Sequence, residues 1–250
     1  MNEIKNIKIL GIKFSLIDKI KLIELLKQNI KKKIKTFVTF RDTSSLMLIR
    51  NDNKLLKIQN NEVTISIADG WPIELAARLN NISLKRIPGP DFFKSFIKIE
   101  MKLNHYFIGS SIDNLNYLKK KLENIKNINI VGIESPIFDE LQENDFKRIA
   151  YSIKKNKAQV IWLAISSPKQ ELFISKLINL APATYFAVGA AIDFYTGKQK
   201  RAPKLLRIIY LEWLFRLVNS PLRLGYRYLI LAPKFFYLIF KENFLNKFKF

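Results

Sequence analysis

Six short apolar runs, separated by stretches of helix length, constrain this chain more than any other feature. They are TFVTF (36–40), VTISIA (63–68), HYFIG (105–109), INIVGI (128–133), QVIWLAI (159–165) and TYFAVGA (184–190). Runs this short, rich in β-branched and aromatic residues, predict buried strands. The stretches SSLMLIRNDNKLLKIQ, PIELAARL, PDFFKSFIKIEM, IDNLNYLKKKLENI, ENDFKRIAYSIKK and PKQELFISKLINL predict helices. Pro72, Pro90 and Pro168 fall near helix starts, where a missing amide hydrogen costs little. Strand and helix alternating in this way predict an α/β chain with a doubly wound, mostly parallel sheet.

The character changes after about residue 197. From Lys198 to Phe250 there are twelve basic residues against two acids, Glu212 and Glu242, together with nine Trp, Tyr and Phe residues between 213 and 244. A catalytic domain over 1–197 and a basic, aromatic-rich helical appendage over 198–250 are therefore expected. Basic aromatic helices suit an anionic membrane interface, or else pack on the core as a solvated pair. Apolar surface on such an appendage also leaves room for a homo-oligomer.

Composition excludes several chemistries. Cysteine is absent, which rules out disulfides, thiol nucleophiles and thiolate metal sites. One histidine, His105, cannot form a histidine metal cluster. No stretch reaches the about 18 uninterrupted apolar residues of a membrane span; YLILAPKFFYLIF (228–240) is broken by Pro233 and Lys234. The opening MNEIKNIKILGIKF lacks the apolar core of a signal peptide, so none is expected. A formal charge of +22 points to an anionic partner, whether nucleic acid, membrane or phosphorylated substrate. Part of it reflects a chain rich in Ile, Lys and Asn.

In parallel α/β sheets ligands bind beyond the carboxyl ends of the strands, so the polar turns there carry the candidates. ADGWP sets Asp69 at the end of a strand, as a general base of raised pKa or as a helix cap. FIGSSIDN (107–114), with Gly109, is either a diphosphate cradle or an ordinary strand-to-helix turn. It lacks G-x-G-x-x-G, and no Walker A motif occurs. In SSPKQE, Ser167 is a candidate cap, and Gln170 is placed to bond a sugar or base, or else only solvent. Asp193, in GAAIDFYTG, either shapes a pocket floor beside Lys198 and Arg201 or makes a structural cap or ion pair. No D-x-D is present, so a carboxylate-held Mg²⁺ is not indicated.

In order along about residues 35 to 228, ADGWPIELAARL, RIPGPDFF, HYFIGSS, GIESPIF, ISSPKQE, GAAIDFYTGKQKRAP, LEWLFRL and SPLRLGYRY together resemble the WecG/TagA/CpsF bacterial glycosyltransferases. That resemblance implies a Rossmann-like α/β core with a basic C-terminal appendage. It implies transfer of a sugar from a nucleotide donor, typically UDP-N-acetylmannosamine, to a polyprenyl-diphosphate-linked saccharide in cell-surface polysaccharide synthesis. The place implied is the inner face of the cytoplasmic membrane. Carried over residue by residue, it makes Asp69 the catalytic base and Thr39, Arg86 and Gln170 substrate-binding residues. Arg216, Arg223 and Arg227 become the arginines of the appendage. Where the family often has Thr-x-Asn, this chain has Thr39-Phe40-Arg41, so Arg41 is expected at the donor and leaves open a uronic-acid or plain hexose.

With Gly109, Asp193 and Arg201 lining the donor pocket, the expected reaction is an inverting single displacement without metal or other cofactor. Two other classes are weighed against it. A basic nucleic-acid-binding α/β protein would fit the charge, but no recognised motif supports it. A nucleotide-dependent oxidoreductase would need the glycine fingerprint that is missing.

Overall fold

The structure, a computed structural model, describes residues 4–137 and 141–247, with the side chains of 223 and 243–247 outside that description. It begins with an antiparallel hairpin, β1 (Asn6–Ile9) and β2 (Ile12–Ser15). Its turn, Leu10-Gly11, has positive φ at both residues (49° and 81°), the geometry that matches the twist of a tight hairpin. Helix α1 (Lys19–Lys31) follows, capped by the Asp18 side chain and burying Leu22, Leu26 and Ile30 at one-turn spacing. These elements precede the strand–helix alternation described above.

The core then runs β3 (Thr36–Arg41), α2 (Thr43–Arg50), α3 (Asn53–Gln59), β4 (Thr64–Ala68), α4 (Trp71–Arg78), α5 (Gly89–Phe96) and β5 (Leu103–Gly109). After these come α6 (Ile112–Leu122), β6 (Ile128–Glu134), α7 (Glu143–Lys155), β7 (Val160–Ala164), α8 (Lys169–Leu180), β8 (Thr184–Ala187) and α9 (Ala191–Thr196). All six expected strands are present. The stretch read as one helix over SSLMLIRNDNKLLKIQ divides at Asn51-Asp52, because Asp52 accepts from the amides of Lys54 and Leu55 and starts α3.

The six strands pair in parallel in the order β4-β3-β8-β7-β5-β6. The last strand in sequence, β8, thus lies inside the sheet between β3 and β7. Alternation assigns the faces: Val160, Trp162 and Ala164 join α1, α5, α6 and α9 in one core cluster, while Ile161 and Leu163 join α7 and α8 in another. Trp162 stacks on Phe186 of β8 at 4.4 Å between ring centres.

A third cluster lies beside the β4 edge, where the hairpin, α2 and α4 meet the end of the chain. That end comprises α10 (Lys204–Ile208), α11 (Glu212–Asn219), α12 (Pro221–Gly225), a π-helical turn (Tyr226–Leu231) and α13 (Ala232–Lys247). Leu231, Phe235 and Ile239, one turn apart, enter the cluster, whereas Tyr226, Leu229, Ile230, Tyr237 and Phe240 are exposed. The segment is helical, with one face docked on the core and an apolar face turned outward. Truncating fully buried Phe235 to Ala should cost about 3–5 kcal/mol and lower the midpoint of one cooperative denaturant transition. An unchanged main transition would show that the end of the chain folds apart from the sheet.

Candidate active site

Asp69 is the first residue beyond β4. Its amide donates to the Arg41 carbonyl at 2.8 Å, extending the β3–β4 ladder by one bond. Its Oδ1 accepts from the Gly89 amide, the first of α5, at 2.9 Å. Gly70, not Asp69, is the cap of α4. The carboxylate therefore ties the end of β4 to the start of a different helix. Burial pushes its pKa up to about 6, and the neighbouring Asp42 adds to the rise. The Gly89 amide and Arg216 oppose it, and Glu212 reinforces it.

The groups around Asp69 come from both ends of the chain. Asp42 follows β3 directly and caps α2 in a reciprocal box with Ser45. Arg216, from α11, faces Asp42, Asp69 and Glu212, and its guanidinium lies 5.7 Å from the centre of the Phe194 ring in α9. Burial works against its charge, but Tyr228 and the three acids outweigh it and hold its pKa above the usual value. No ion pair within 4.0 Å among the described residues engages Arg216. Tyr228 has its phenol pushed up to about 12, mainly by burial, with Arg216 pulling the other way.

Arg86 lies over the Tyr210 ring at 4.7 Å, and Tyr210, Trp71 and Phe236 continue as an aromatic wall at 6.1 and 5.9 Å. Arg227 donates from Nη2 to the Ser167 carbonyl at 3.1 Å, and its own carbonyl accepts from Ser44 at 3.3 Å. Helix α12 carries Arg223, whose side chain lies outside the described residues.

Other expected site residues occupy different positions. Arg41 is fully buried: Nη1 meets Glu171 Oε1 at 2.5 Å and Nε meets Gln59 Oε1 at 2.9 Å. It is not open to a donor, so the expected direct contact is corrected to a buried ion pair. Thr39 lies one pleat behind it, also fully buried, and Gln170 is 4% exposed with its amide on Glu171. Both sit beneath the surface, so neither is open to a sugar in this structure.

Arg201, expected at a diphosphate, instead grips both oxygens of Asp91 at 2.5 and 3.0 Å and approaches Glu212 at 3.5 Å. It is corrected to a clamp between α5 and α11. Asp193 orients neither Arg201 nor Lys198. It accepts from Ser110 Oγ at 2.6 Å and Asn114 Nδ2 at 2.8 Å, holding the turn before α6. Gly109 makes that turn, with φ +99° and no space for a Cβ, which would lie 2.7 Å from the Ala164 carbonyl oxygen. Ser167 caps nothing; Pro168 occupies the cap position of α8.

The residues that sequence reasoning passed over are Asp42, Glu212 and Tyr228. Glu212 and Tyr228 stand inside motifs already quoted, LEWLFRL and SPLRLGYRY, and Asp42 directly follows Thr39-Phe40-Arg41. What the spacing did not reveal is that these motifs converge on Asp69. The arrangement offers a half-buried carboxylate able to take a proton near neutral pH, with an arginine near enough to balance developing negative charge.

Among solved structures, the chain is similar to the crystal structure of RSP, a Rex-family repressor, at 14% identity and a TM-score of 0.28, covering 81% of this chain and 95% of that one. At that score the likeness decides nothing about fold or function. The family comparison is decisive, because the model of the Glycosyl transferase WecG/TagA/CpsF family matches residues 7–249, nearly the whole length. With the parallel sheet and the acid at its carboxyl edge, that match settles the question of kinship: the chain belongs to the WecG/TagA/CpsF family of glycosyl transferases.

Proposed function

We propose that this glycosyl transferase moves a hexose from a UDP-sugar to a polyprenyl-diphosphate-linked saccharide, by inverting single displacement without a metal. The observation that carries the reading is Asp69, a carboxylate raised to about 6 at the carboxyl edge of the sheet with Arg216 close by. Asp69 takes the proton from the acceptor hydroxyl as it attacks the anomeric carbon, and the bond to the nucleotide diphosphate breaks. Arg216 and Arg86 stabilise the departing diphosphate, while the Arg227 backbone and side chain keep the C-terminal helices over the site. Thr39, Gln170, Gly109 and Asp193 support the walls from behind. The donor sugar is left open.

No described helix is long and apolar enough to cross a membrane. A lipid-linked acceptor requires the enzyme at a bilayer surface, and Leu205, Val218 and Leu222, 69%, 72% and 101% exposed, supply an apolar face among basic residues. In this reading the protein docks peripherally on the inner, anionic leaflet.

Asp69→Asn should lower turnover about 10²–10⁴-fold while retaining the fold. Because the folded-state pKa of Asp69 lies above its unfolded value, its charged form destabilises the fold as pH rises through the interval between about 4 and about 6. The same variant should therefore melt higher than the parent above pH 6, with the gain gone at the acid end; thermal melts across pH check this. Wild-type turnover in that variant would remove Asp69 as the base.

Activity of the parent should rise through an acid limb near pH 6, and Asp42→Asn should move the limb to lower pH by removing a neighbouring negative charge. A pH–rate profile with the limb unmoved would exclude electrostatic tuning by Asp42. Replacing Leu205, Val218 and Leu222 together by Ser should reduce flotation with anionic vesicles while leaving turnover of a short-chain, water-soluble acceptor unchanged. Equal flotation of variant and parent would remove this face from membrane docking.

A further inference from the structure

Beneath the acidic edge of the site lies a buried polar cluster that the reaction does not use. Arg41, at the last position of β3, is 0% exposed, as are Glu171 of α8 and Gln59 of α3. Arg41 Nη1 bonds Glu171 Oε1 at 2.5 Å and reaches Ser167 Oγ at 3.4 Å, and Arg41 Nε bonds Gln59 at 2.9 Å. Gln170 bonds the same Glu171 oxygen at 2.9 Å. Among the described residues, Arg41 Nη2, Glu171 Oε2, Gln59 Nε2 and Gln170 Oε1 find no hydrogen-bond partner.

Such a cluster is poorly explained by stability. Burying two charges carries a desolvation penalty that the attraction between them rarely exceeds, and incompletely satisfied networks do worse. A well-packed apolar pair of similar volume is often as stable or more so. What the ion pair supplies here is a fixed geometry joining three elements far apart in sequence.

The Arg41 end of that junction is one bond from the site, and the α8 end reaches it through Ser167, four residues before Glu171. The Arg41 carbonyl accepts the Asp69 amide at 2.8 Å, and Asp42 is the next residue in the chain. The Ser167 carbonyl accepts Arg227 Nη2, and Ser44, two residues beyond Asp42, donates to the Arg227 carbonyl. We infer that the Arg41–Glu171 pair is a buried strut that sets the spacing between the Asp42–Asp69 edge and the C-terminal helices held through Arg227. Arg41 is thus a positioning residue: it touches no substrate and does not read the donor. The inference rests on the transfer reaction proposed above for its kinetic consequence, but the coupling of the two segments does not depend on that reaction.

The full-length protein tests it with the double variant Arg41→Met/Glu171→Leu, which removes both charges together. Misplacement by about an ångström costs about 10²-fold in rate, so kcat should fall by that order for every UDP-sugar accepted. KM and the ranking of donors should be unchanged, and the melting temperature should not fall. Amide hydrogen exchange in the Tyr226–Leu231 turn should quicken in the variant. Should the double variant fail to fold, Arg41→Lys keeps the charge and loses the fork, and the same kinetic and exchange effects are expected.

A change in donor ranking would return Arg41 to donor recognition and overturn the strut. So would wild-type kcat, or exchange at 226–231 equal to that of the parent. If the parent protein transferred no sugar from any UDP donor, the proposed reaction would fall while the exchange comparison still decided the strut.

Discussion

A parallel sheet with helices on both faces buries its strands, so the groups it offers for chemistry must stand where strands end and helices begin. The placement of the candidate site follows from that restriction. The edge formed by β3 and β4 presents Asp42 and Asp69 one residue past each strand, held in register by the bond between the Asp69 amide and the Arg41 carbonyl. An acid in that place loses water on several sides without leaving the surface. Its raised pKa is a consequence of position.

The sheet alone would leave those acids facing solvent. The helices after residue 198 change this, because they dock through Leu231, Phe235 and Ile239 on the cluster beside β4 and bring Glu212, Arg216 and Tyr228 over the edge. The Arg201 clamp to Asp91 and Glu212 fixes α11 to α5, the helix whose first amide bonds Asp69. Burial of the acid, the cation that balances it and the aromatic wall thus depend largely on one docking event. Exposed apolar side chains on the outer face of the same helices are what remains after the inner face is spent on the core.

Much of this was legible in the sequence. The six strands declared themselves by length and β-branched content, and Asp69 by standing before a glycine at a strand end. The hairpin was harder to read, since Lys8 and Lys13 interrupt its apolar residues and each strand has only four residues. Arg41 and Arg201 show where spacing stops being informative. Their partners, Glu171 and Asp91, lie 130 and 110 positions away, and no local pattern says whether a long cation turns into the protein or out of it. An arginine beside a strand end reads as a ligand contact until its carboxylate is found.

The internal position of β8 has a consequence for how the molecule is made. During synthesis the β4-β3 pair and the β7-β5-β6 group can each form early, yet only β8 hydrogen-bonds to both. Until residues 184–187 have left the ribosome, two half-sheets carry open edges that would otherwise face each other across the missing strand. Such non-local closure is slow, and the exposed edges invite association with other nascent chains. A chain halted before this strand would hold two unsealed halves, which only the four residues of β8, in the middle of the sheet, can join.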